Sequence, residues 1–94
     1  MNVKITTKTK TIERDITRYS VTDDAVQVVL SGGRLDSTPK NGDIATVVIT
    51  DEVNGNVEVT AQFISYNFIV YENPQTGEAN VIGDNSLLFK ILDI

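Results

Sequence analysis

The chain contains no cysteine, no histidine and no tryptophan among its 94 residues. Without cysteine there is no disulfide framework, thiolate metal site or cysteine nucleophile, so packing and hydrogen bonds must hold the fold. Without histidine, the commonest general base and the preferred ligand of many transition metals are also missing. Any mechanism would have to use carboxylates, Lys, Tyr or Ser/Thr. No stretch approaches the roughly 20 apolar residues of a membrane-crossing helix. The opening Met1-Asn2-Val3-Lys4-Ile5-Thr6 alternates polar and apolar residues and lacks the apolar run of a secretory signal. A cytoplasmic protein with no membrane partner is expected.

Helix formers are scarce too, since Leu and Ala together fill nine positions whereas Val, Ile and Thr fill 33. Branching at Cβ stiffens a side chain and suits a pleated sheet, so composition leans to strand. A chain of 10.3 kDa can bury one core but not two, which makes residues 1–94 a single β domain.

Periodicity agrees with composition. Val3, Ile5 and Thr7 share one face of a strand near residues 2–9, and Ile12, Arg14 and Ile16 share a face of a second near 11–19. Thr22-Asp23-Asp24 is a turn, and the apolar run over 25–30 reads as a well-buried strand. Residues 31–43 form the main loop, either a functional element or two consecutive turns that join strands across the domain.

Asn54-Gly55 marks a hairpin. A three-residue loop over 53–55 aligns Ile49 with Val59, Val47 with Ala61 and Ala45 with Phe63 on one face, and this is the register expected. A slip of one residue would turn the apolar set toward water. The stretch after it, a long strand around residues 56–72, would span roughly 50 Å if straight, so a bend is expected at Ser65-Tyr66-Asn67, where the core face changes parity. A turn over 73–77, a short strand over 78–82, a turn at Gly83-Asp84-Asn85 and a last strand over 86–94 complete the reading. Leu87, Leu88, Ile91 and Leu92 also fit one face of a helix capped by Ser86. The sum is about seven strands in a compact antiparallel sandwich or small barrel.

Charge is unevenly spread. Residues 1–40 carry seven Lys/Arg against five Asp/Glu, and residues 41–94 carry one against eight, for a net charge of −5. Basic early strands lying beside acidic later strands, in weak cross-strand pairs, are one explanation and the one preferred. The other is a bipolar surface that steers a partner or stacks copies head to tail.

No motif assigns a catalytic, cofactor or metal site. The pairs Asp23-Asp24 and Asp51-Glu52 read as turn residues, and nothing points to two-carboxylate catalysis. Asp51, Asn54, Asn56 and Glu58 gather oxygen atoms at a hairpin tip, but their spacing matches no EF-hand. Gly32-Gly33-Arg34 lacks the Lys-Ser/Thr of a phosphate-binding loop. Lys4, Lys8, Lys10, Arg14 and Arg18 near Tyr19 could face nucleic acid, yet a sequence pI of about 4.4 argues against it.

Association with protein has the most in its favour. Ile64, Ile69, Tyr71, Leu88, Leu92 and Ile94 place apolar side chains on faces that a two-layer β domain leaves wet, which makes them interface candidates. The expectation is a non-enzymatic interaction or assembly module that binds protein and forms a homo-oligomer. Its short, acidic, strand-only character is what a small bacterial or bacteriophage accessory or particle protein would have. A module for a small ligand or carbohydrate is the alternative.

Overall fold

A computed structural model describes residues 1–72, 75 and 79–92, with the side chains of 1–69, 75 and 84–92. The strands are β1 (Asn2–Thr6), β2 (Thr11–Val21), β3 (Ala25–Leu30), β4 (Ile44–Thr50), β5 (Val57–Glu72) and β6 (Ala79–Ile91), all antiparallel to their neighbours. They close into a barrel in the order β1-β2-β3-β6-β5-β4, so the small barrel is realised and the sandwich is not. No helix among the described residues is long and apolar enough to cross a membrane.

Alternation builds the interior. Val3 and Ile5 of β1, Val26, Val28 and Leu30 of β3, Ala45, Val47 and Ile49 of β4, and Leu87 and Phe89 of β6 are all buried, as one face of each strand must be when a sheet curls onto itself. Phe63 and Phe89 are cross-strand partners whose rings meet edge to face, with centroids 5.6 Å apart.

The expected strand count of seven becomes six because residues 79–91 form one strand. Gly83 is not in a turn: Ile69 lies opposite Asp84 and Val70 opposite Ile82, so Gly83 is the extra residue of a bulge. Residues 86–91 are strand, which removes the helix alternative. The turn read over 73–77 lies outside the described residues except for Gln75.

The β4–β5 register also differs from expectation. Ile49 faces Val57, Val47 faces Val59 and Ala45 faces Ala61, a slip of two residues that keeps every side chain on its expected face. The cause is a wider turn built by Asp51. Its carboxylate accepts the N–H groups of Val53 (3.0 Å) and Asn54 (3.1 Å), and its carbonyl accepts that of Gly55 at 2.9 Å. Gly55 sits at φ 95°, a region open mainly to glycine.

The loop 31–43 connects strands on opposite walls of the ring and therefore crosses one end of the barrel. It is a plug, with Leu35 and Pro39 buried. Ties from the β1–β2 hairpin hold both its ends: Arg14 donates to the carbonyls of Ser31 (2.9 Å) and Gly33 (2.8 Å), and Lys10 donates to that of Thr38 (2.9 Å).

Past this rim β5 and β6 continue without other strand neighbours among the described residues. β4 pairs with β5 only as far as Gln62, and β3 pairs with β6 only from Ser86 onward. The β5–β6 ladder nevertheless runs on to Glu72 and Ala79. A bulge at Ile64 switches the core face from Ala61 and Phe63 to Tyr66 and Phe68, just before the predicted bend. The strand was expected to bend so as to fit a compact domain; instead it prolongs the molecule. The principal extents are 50 × 31 × 21 Å and the radius of gyration is 14.2 Å, against about 12 Å for a compact chain of this length.

Candidate protein-interaction surface

The prolonged ribbon, here called the arm, consists of β5 from Ile64 onward and β6 up to Asn85. Its β-branched and aromatic residues favour extension, but an isolated two-stranded ribbon is marginal in water. A polar latch fastens its base. The Tyr66 hydroxyl donates to Asn85 Oδ1 and accepts the Leu35 N–H at 3.1 Å, and Asn85 Nδ2 donates to the carbonyls of Gly32 and Gly33 at 3.1 Å each. Asn85 is 2% exposed and fully satisfied, as a buried amide must be. The Gly33 carbonyl thus receives Arg14 from β2 and Asn85 from β6, so the loop 31–33 wedges the arm against the opposite hairpin.

The arm's two edges differ. From Ile64 to Tyr71 β5 carries no charge and no proline. Past Phe63, whose backbone is bonded to Gly42 and Asp43, its sole strand neighbour among the described residues is β6. The β6 edge is interrupted by extra residues at Asn80 and Gly83, carries Asp84, and ends in the latch. Bulges and charges are devices that keep an edge from pairing, and β5 has its bulge only at the root of the arm.

The six interface candidates do not form one patch. Ile64 and Leu88 lie half-buried side by side at the barrel rim, and Ile69 projects from the arm, 42% exposed. Leu92 is half-buried at the far end, its N–H bonded to the Thr60 carbonyl. Tyr71 is paired through its backbone opposite Val81, but its side chain lies outside the described residues, as does Ile94.

A second polar cluster sits at the other end of the barrel. Asp51, 3% exposed, also accepts the Tyr19 hydroxyl at 2.7 Å and Asn54 Nδ2 at 3.0 Å. These donors, Tyr19 first and Asn54 next, hold its carboxyl well below the usual carboxylate range. The same bond, with some desolvation, raises Tyr19 above the ordinary tyrosine value. The carboxylate oxygens of Asp51, one of the four residues that gather at this tip, are therefore spent on the turn and on fastening β2 to it. Nothing in the local pattern announced Tyr19 as Asp51's partner, because the two are 32 residues apart.

The expected pairing of basic early strands with acidic later ones is not found. β1's later neighbour is β4, Ile44–Thr50, which contains no charged residue, and β2 lies between β1 and β3. In the ring, β1 stands opposite β6 and β2 opposite β5. The β1–β2 hairpin, residues 2–21, has five Lys/Arg against two Asp/Glu, and residues 57–91 have one against four. The charge asymmetry therefore lies across the barrel. Comparison with protein-family models, curated proteins and solved structures finds no match to this chain.

Proposed function

We propose that the chain is a non-enzymatic assembly module that binds protein, in the first place copies of itself, through the β5–β6 arm. The observation that carries this reading is the arm's long β5 edge, uncharged from Ile64 to Tyr71 and, among the described residues, without a second strand beside it, with Ile69 42% exposed. Such an edge is a template for pairing with another chain, and in a soluble protein it is normally protected or covered. The absence of cysteine fits the reducing cytoplasm. A small accessory or particle protein of a bacterium or bacteriophage is the setting that suits this combination.

Light scattering over a wide range of concentration tests the proposal. The mass of the wild type should rise above 10.3 kDa, and Ile69→Asp should stay monomeric with a melting temperature equal to that of dilute wild type. A wild type that is monomeric at millimolar concentration would sink it. A melting temperature raised by a sugar or by calcium, and left unchanged by protein concentration, would favour a ligand-binding module instead.

A further inference from the structure

The charged groups of the two opposed hairpins are differently engaged. In the β1–β2 hairpin Lys10 and Arg14 are committed to carbonyls of the plug. Lys4, Lys8 and Arg18 are exposed and have no hydrogen-bond or ion-pair partner among the described residues. Lys4 lies opposite Glu13 in the ladder, and Arg18 lies opposite Val29. On the far wall, the described residues 63–72 and 79–89 contain Glu72 and Asp84 and not a single Lys or Arg. One wall thus offers three cations with no internal work beside two exposed anions, Glu13 and Asp15, and the other, among the described residues, an extended ribbon with only negative charge.

We infer that the acidic arm of one copy docks on the basic outer face of the β1–β2 hairpin of a second copy, so that copies associate head to tail. This deepens the reading of the arm as the association element and rests on it. Charge complementarity selects this occupant. A two-fold contact of arm with arm would bring like charges together, which costs free energy, whereas arm on hairpin pairs opposite signs and steers the encounter. The contact is heterologous, and because its two surfaces lie on opposite walls of the barrel, successive copies form a file or a wide ring, not a closed pair.

Two charge-reversed proteins test this, each first shown by thermal melting to be folded. Lys4→Glu with Arg18→Glu reverses the hairpin, and Glu72→Lys with Asp84→Lys reverses the arm. Each alone should be monomeric in light scattering where the wild type associates, and an equimolar mixture should associate again. Raising salt from about 0.05 M to about 0.3 M should weaken wild-type association about tenfold, since exposed charges are screened over a Debye length of ~6–14 Å in this range. If the hairpin-reversed protein associates as the wild type does, arm meets arm: the head-to-tail contact is wrong and association through the arm stands. If the wild type never associates, both fail. Wild-type retention of a single-stranded oligonucleotide that the hairpin-reversed protein loses would assign those cations to another partner and overturn the inference.

Discussion

The barrel and the arm are made from the same two strands, yet they obey different rules. Below the rim β5 and β6 each have neighbours on both sides, and their inward side chains, Ala61, Phe63, Leu87 and Phe89, are buried. Above it each has one strand neighbour among the described residues, and a few polar ties fasten the base. Closure removes edges and buries one whole face of every strand, whereas a ribbon keeps its edges and gains little from burial. On the proposed reading, stability and association fall to different lengths of the same strands, and substitutions can separate them.

The largest effect belongs to the barrel. Phe89→Ala removes a fully buried ring that stacks edge to face on Phe63, and should lower the unfolding free energy by about 3–5 kcal/mol. For a domain of this size that is a large share of the total. Denaturant titration followed by circular dichroism measures it. A loss comparable to that of a surface substitution would mean that the barrel is not the cooperative core.

Asn85→Ala acts at the join. It leaves the carbonyls of Gly32 and Gly33 without the amide and takes the acceptor from Tyr66, which should cost about 1–3 kcal/mol. The distinguishing sign is where protection is lost. Amide hydrogen exchange should quicken most at Leu35 and along residues 64–69, while Val28 and Val47, deep in the barrel, quicken only in proportion to the loss of global stability.

This join also shows where local pattern stops informing. The barrel residues were legible because period-two alternation in Val3 and Ile5, Val26 and Val28, Ala45, Val47 and Ile49 has one physical cause, a strand with one dry face. The β4–β5 hairpin differs from its expected register by two residues and so keeps its faces, because Asp51's several hydrogen bonds, which depend on the folded turn, set the loop length. In the sequence Asn85 reads as a turn residue, because Gly-Asp-Asn usually is one. Its burial follows from contacts with Gly32 and Tyr66, 53 and 19 residues away. The charge map failed for the same reason: composition told which half was basic, but strand order decides whether opposite charges lie side by side or across a barrel, and order is non-local.

Acid offers a graded way to loosen the end of the barrel away from the arm. The Asp51 carboxyl is held below its ordinary value of 3.8, mainly by the Tyr19 hydroxyl. A depressed carboxylate gives stability that is present above the unfolded value and is lost as pH falls toward the folded one. Unfolding free energy should therefore decline below about pH 4. Asp51→Asn should flatten that decline while lowering stability at neutral pH. For Tyr19, whose value lies above 10.0, the corresponding stability is present below pH 10.0 and lost as pH rises through the folded value. An Asp51→Asn protein with an unchanged acid limb would show that other carboxylates govern the transition.

The smallest expected change in stability is at Ile69, and it carries the comparison furthest. The side chain projects from a ribbon with one neighbour per strand and is 42% exposed, so Ile69→Asp removes little packing and should alter the unfolding free energy of dilute protein by less than about 0.5 kcal/mol. If the arm is an association element, the same substitution abolishes a concentration-dependent rise in melting temperature, because binding that is confined to the folded state stabilises it by mass action. Barrel substitutions such as Phe89→Ala should do the reverse, lowering the melting temperature at every concentration and leaving its slope with concentration intact. A loss of dilute-state stability at Ile69 as large as that at Asn85 would mean that the arm packs on its own chain, and the division between the two lengths of β5 and β6 would have to be abandoned.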